Sequence, residues 1–183
     1  TLRKTEGPLT YSASAYRYAY DGYIFAQTLD RFEDFRLIRY SQEDATFTGL
    51  EGDIRYAFAN GIALGAFGDR VEAELDSGEP LPRIPAARLG ARAEVVSGPW
   101  SGDVEYIRVF RQDEVAAFET VTGGYDMVNA TVAYDLEALG GRQQVFIRGT
   151  NLLDEVALNH TSFLSTLAPQ RGRSVLIGLR TEF

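Results

Sequence analysis

The chain has 183 residues, a formal net charge of −8 and no cysteine. It is long enough for one domain with a substantial core, but it has no disulfide scaffold or thiolate metal site, and its charge disfavours a nucleic-acid partner because nothing would neutralise phosphates. No apolar run approaches the roughly 20 residues of a membrane-spanning helix, which says nothing of membrane strands, whose alternation averages out in any hydropathy window.

Helical periodicity is almost absent, and strand-like alternation recurs throughout. Eight strands are predicted, at about 9–25, 36–58, 61–75, 88–96, 100–110, 125–136, 142–151 and 173–183, the second long enough to hold a bulge. Their connections alternate in length. Asn60-Gly61 is a strong hairpin signal, and Ser97-Gly98-Pro99 and 137–141 are also short. The connections 26–35, 76–87, 111–124 and 152–172 are long and polar. Short turns on one side and long loops on the other suit a membrane barrel, with short turns in the periplasm and long loops outside.

The strand faces sort by polarity. Leu50, Ile54, Tyr56 and Phe58 oppose Glu51, Asp53 and Arg55. Leu89, Ala91, Ala93 and Val95 oppose Arg88, Arg92 and Glu94, and Val128, Ala130, Val132, Tyr134 and Leu136 oppose Asn129, Thr131 and Asp135. The strand 100–110 is less clean, with Asp103, Glu105, Ile107 and Val109 on one face. Tyr56, Phe58, Trp100, Tyr134 and Phe183 fall near the short-turn ends, where an aromatic girdle sits. Alternation alone also fits a soluble antiparallel sandwich or lipocalin-like barrel. The loop alternation and the last eleven residues, which alternate and end on Phe183, favour the membrane.

The segment Val145-Phe-Ile-Arg-Gly-Thr-Asn-Leu-Leu-Asp-Glu155, then Asn159-His-Thr-Ser-Phe-Leu164, then Ala168-Pro-Gln-Arg-Gly-Arg173 and the final strand resembles the C-terminal end of TonB-dependent outer-membrane receptors. There an Asn-Leu-hydrophobic-Asp step closes the penultimate strand, and Pro and Gly-Arg precede a last strand ending in Phe. Upstream, 40–51 resembles the family's A-x-x-x-G-x-E strand, and Leu81-Pro-Arg-Ile-Pro-Ala-Ala-Arg88 resembles a stretch entering a strand. The resemblance runs from about residue 9 to 183. It implies an all-β antiparallel transmembrane barrel of about 22 strands, occluded by an N-terminal plug. It also implies a bacterial outer-membrane location and uptake of metal ions, ferric siderophores, haem or cobalamin, powered through TonB. On this expectation residues 1–183 are the C-terminal part of the barrel, with the plug, the TonB-contacting region and earlier strands absent. No signal peptide is visible at Thr1-Leu-Arg-Lys4. Phe183 resembles the signal read by the barrel-assembly machinery, so the expected partners are that machinery, TonB and outer-membrane lipid. Two alternatives stand beside this reading: a self-contained eight-stranded outer-membrane barrel with a structural or adhesive role, and a soluble β-barrel carrier.

The predicted loops are acidic: Asp30, Glu33 and Asp34 in the first, Glu72, Glu74, Asp76 and Glu79 at the second, Asp113, Glu114 and Glu119 in the third, Asp154 and Glu155 in the fourth. Such a cluster is either a solvated surface or a vestibule that attracts a cation. His160, the single histidine, needs partners from other loops to serve as a metal ligand, since one imidazole makes no site. The ligand-binding candidates are therefore His160, Asp154, Glu155, Asp113 and Glu114. No cofactor is expected beyond a transported metal or metal complex. An enzyme is not expected, because any Ser-His-Asp site must use His160 and there is no Gly-x-Ser-x-Gly step. Asn129-Ala-Thr131 and Asn159-His-Thr161 match the glycosylation pattern, which a bacterial barrel does not use.

Overall fold

The computed structural model describes every residue except Asp34, Leu139, Gly140 and Phe183, and the backbone alone of Glu137, Ala138, Gly141, Arg142 and Glu182. The girdle and assembly roles expected of Phe183 therefore lie outside the described residues. Among those residues, nine antiparallel strands form one sheet in sequence order. They are β1 (Leu2–Lys4), β2 (Leu9–Phe32), β3 (Phe35–Ala57), β4 (Ile62–Leu75), β5 (Arg88–Ser97), β6 (Trp100–Val109), β7 (Tyr125–Ala138), β8 (Gly141–Thr150) and β9 (Ser174–Glu182).

The all-β antiparallel expectation holds, with two corrections. The count is nine rather than eight. Strand β1 pairs with Tyr11–Ala13 and is too short for alternation to register. The expected loop 26–35 is a continuation of β2 and β3, which stay paired as far as Phe32 and Phe35. Asp30 accordingly lies on a strand. Register shifts between Tyr20 and Tyr23 and between Thr28 and Asp30 interrupt the alternation there and hide the strand.

Directly paired residues share a face, so the registers assign every side chain. One face carries Glu51, Asp53, Arg55, Asp69, Arg88, Arg92, Glu94, Asp103 and Glu105. Across the strands, Arg55 pairs with Glu94 at 2.7 Å, Arg88 with Asp69 at 2.5 Å, and Arg92 with Asp53. A Cβ on Gly65 would press on the Arg92 side chain, so the glycine clears the path by which Arg92 crosses β4. The same face seats three aromatic rings over cross-strand glycines: Tyr16 on Gly49, Phe67 on Gly90 and Phe146 on Gly178. An aromatic ring covering a glycine gap restores packing the glycine lacks.

The opposite face is apolar. It presents Leu50, Ile54, Leu64, Leu89, Val95, Val104, Val132, Ile147, Val175, Ile177 and Leu179, all substantially exposed. The register settles β6: Val104 and Tyr106 point to this apolar face, while Asp103 and Glu105 join the charged one. At the short-turn end Tyr56 packs edge-on against Phe58, and Trp100 against Tyr134, each with ring centroids 4.7 Å apart. At the far end of β6, Arg108 leaves the apolar band paired with Asp126 at 2.6 Å.

The polarity of the two faces inverts along β3 and β4. Beyond Gly49 the formerly charged face turns apolar: Phe25, Ala45, Ala73, Leu75 and Leu81 form a small buried core there, joined by Tyr23, Phe47 and Ile84. The other face becomes polar, with Thr46, Thr48, Glu72 and Glu74. Glu72 and Glu74 lie at the loop-side end of β4, within the predicted strand 61–75 and next to the second loop. An apolar band that gives way to polar residues on the same face marks where the strands leave the bilayer.

The β3–β4 turn shows local sequence control. Gly61 has φ +82°, and a Cβ there would meet the Val96 carbonyl oxygen. Gly61→Ala therefore combines left-handed strain with a backbone clash, and we expect a loss of about 1–3 kcal/mol, read by urea titration in micelles. An unchanged midpoint would refute it.

Candidate functional site

Past the bilayer boundary three loops meet: 76–87 between β4 and β5, 110–124 between β6 and β7, and 151–173 between β8 and β9. The first two are joined by the Gln112 amide, which donates to the carbonyls of Ile84 at 3.1 Å and Pro85 at 3.4 Å. Glu119 accepts the backbone N–H of Arg83 at 2.9 Å and of Ala116 at 3.1 Å. Arg83 has φ +62°, a costly conformation for a non-glycine residue, held here by that contact. Its guanidinium lies over the Phe163 ring at 4.2 Å, linking the third loop, and donates to the Ala26 carbonyl at 3.2 Å. Burial lowers the Arg83 pKa, with Glu119 opposing the shift.

His160 sits inside this junction, its side chain only 4% exposed. Its Nδ1 is 3.1 Å from the buried Thr122 hydroxyl. Its Nε2 has no hydrogen-bond partner and faces Glu119 Oε2 at 3.9 Å. Burial lowers the His160 pKa, and the Glu119 charge opposes it less strongly.

The third loop is closed at its base by Asn151, which is 2% exposed with φ +49°. Its side-chain amide donates to the carbonyls of Glu155 at 2.9 Å and Arg171 at 3.2 Å, and its Oδ1 accepts the Glu155 N–H at 3.0 Å. Its own N–H donates to Asn129 Oδ1 at 3.0 Å. Asp154 accepts the Arg173 N–H at 2.9 Å. The Asn-Leu-Leu-Asp step thus ties both ends of the loop together.

The five candidate residues occupy three separate places. Asp154 and Glu155 lie at the loop base, Asp154 also 3.5 Å from the Arg173 guanidinium. Asp113 pairs with Arg111 and Glu114 with Arg70, each at 3.6 Å. His160 is buried with Thr122 and Glu119. Among the described residues no group of three or more His, Asp or Glu side chains is placed to hold a metal ion. Glu119 had been counted only as loop charge, and nothing local in the sequence connects it with Arg83 and His160.

A family model described as TonB dependent receptor-like, beta-barrel matches residues 2–152. Its match ends at the Asn-Leu step, before most of the C-terminal motifs. Among solved structures, the chain is similar to the copper transporter OprC with a TM-score of 0.85 at 16% identity, over 97% of this chain and 30% of that one. It is also similar to the ferric citrate transporter FecA in its unliganded form, with a TM-score of 0.69 at 17% identity, over 98% of this chain and 29% of that one. At these identities the likeness establishes the fold alone, and this chain spans less than a third of either neighbour.

Proposed function

The chain belongs to the TonB-dependent receptor-like β-barrel family, whose members are non-enzymatic transporters of the bacterial outer membrane, and from that premise we propose that it is the C-terminal wall of a receptor that takes up a scarce small ligand with energy delivered through TonB. The open sheet carries this reading. Among the described residues the outer edges of β1 and β9 have no strand partner. Unpaired strand edges are untenable in lipid, where no water satisfies them. Further strands pairing with both edges resolve that, which favours this reading over a self-closed eight-stranded barrel.

The two structural neighbours are named for different cargoes, copper and ferric citrate, so the fold does not select one. The acidic loop residues support a metal ion or cationic chelate over an anionic one. Asp113, Glu114 and Asp154 are each more than half exposed, and Glu155, next to Asp154 in the chain, is exposed too. Competition binding on the full-length protein with zinc, copper, ferric chelates, haem and cobalamin tests the cargo, and uptake in cells lacking TonB tests the energy source. We expect alanine at those four positions to weaken binding of a cationic ligand about tenfold, through loss of local attraction. Uptake that persists without TonB, or affinity unmoved by the four substitutions, would overturn the corresponding half of the proposal.

A further inference from the structure

We propose that the His160–Thr122–Glu119 contact is an acid-released latch that holds the three outer loops together at neutral pH and frees them when the imidazole is protonated. The geometry is specific to a titrating group. A histidine that merely filled space would have its second ring nitrogen partnered or in apolar surroundings. Here Nε2 is buried, unpartnered and aimed at a carboxylate. That carboxylate, only 6% exposed, is fixed by backbone donors from two loops.

The neutral ring suits the junction when the proton is on Nε2, towards Glu119, and the Thr122 hydroxyl donates to Nδ1. Protonation at Nδ1 turns that hydroxyl into an acceptor and leaves an imidazolium buried among three loops. Glu119 from the second loop favours the cation. The Arg83 guanidinium of the first loop is attracted to Glu119 and opposed by Arg36 of β3, and Arg31 of β2 donates to Thr120. Burial outweighs Glu119, so the packed junction binds the proton less readily than the freed loop does. Junction stability is thus fully present above the ordinary histidine pKa of about 6.5 and falls as pH drops below it, levelling off only below the depressed value.

The location of these loops outside the bilayer rests on the membrane-barrel reading, whereas the pH response does not depend on cargo or on TonB. Hydrogen–deuterium exchange on the full-length protein in micelles, corrected for intrinsic pH dependence, reads the latch. Between about pH 7.5 and about pH 5, protection in 76–87, 110–124 and 157–165 is expected to fall severalfold and together. His160→Gln, which cannot become cationic, is expected to keep its protection at both pH values. Glu119→Gln removes the charge that favours the imidazolium, lowers the packed-state pKa further, and should enlarge the acid loss of protection and make it level off at lower pH. If His160→Gln is unprotected even at neutral pH, the ratio of neutral to acid protection in Glu119→Gln decides the matter, since a purely structural loss lowers protection equally at both pH values. Equal acid loosening in His160→Gln, a wild type protected throughout, a response confined to one loop, or a neutral-to-acid ratio in Glu119→Gln no larger than in wild type would each overturn the latch.

Discussion

Val132→Arg is expected to destabilise the membrane-inserted barrel by about 2–4 kcal/mol, the cost of an arginine on the lipid face near the midplane, while Thr131→Arg one residue earlier leaves stability nearly unchanged. The contrast follows from register. Val132 pairs with Gly102 and Ile147 on the apolar face, midway along the run from Val128 to Leu136, and is 51% exposed. Thr131 lies between Asp103 and Arg148 on the charged face, so an arginine there has a carboxylate on one side to offset the like charge on the other and stays away from lipid. Successive residues in a strand point to opposite faces, and two identical substitutions at adjacent positions meet opposite environments. Urea titration in bilayers, with heat-modifiable mobility as the folded-state marker, distinguishes them. Equal losses for both variants would mean that the apolar face does not meet lipid, and would return the soluble-barrel alternative.

That contrast could be written from the sequence, because alternation in β3, β5 and β7 survives in every register. Where legibility failed, the period itself was broken. The residues around Asp21-Gly22 and Leu29 each shift the pairing by one position, so buried residues such as Phe25, Ala26 and Thr28 no longer alternate as one strand, although the backbone ladder continues. Strand β6 failed differently. Its charged face includes Ile107 and Val109 and its apolar face ends in Arg108, so polarity alone gave no side, and only pairing with β5 and β7 did. The loop junction was illegible for a third reason. Arg83, Glu119, Thr122 and His160 come from three connections, and their contacts follow from how those loops pack. A rule of spacing cannot find them. The acidic character of the loops was visible, but not that Glu119 would be buried while Asp113 and Glu155 stayed in solvent.

Asn151 lies between these cases, since its motif was visible while its task was not, and replacing it is the second large effect. Asn151→Ala removes both donors to the Glu155 and Arg171 carbonyls and the acceptor of the Glu155 N–H. Each buried polar group left unpaired costs about 1–3 kcal/mol, and water entering a surface loop recovers part of it, so a net loss of about 2–4 kcal/mol is expected for the loop base. Alanine also sits poorly at φ +49°, a left-handed conformation that costs non-glycine residues about 1–2 kcal/mol. Asn151→Gly separates the two contributions: it keeps the backbone and loses only the hydrogen bonds, so it should retain about 1 kcal/mol more stability than alanine. Asn151→Asp preserves one acceptor but sets a carboxylate against two carbonyl oxygens, and is expected to be no better than alanine. Tryptic cleavage after Arg171 and Arg173 reports the opening, because both lie where the loop returns to β9. Cleavage should accelerate in the order wild type, glycine, alanine. Cleavage at the wild-type rate in Asn151→Ala would show that Asp154, through its bond to the Arg173 N–H, closes the loop unaided.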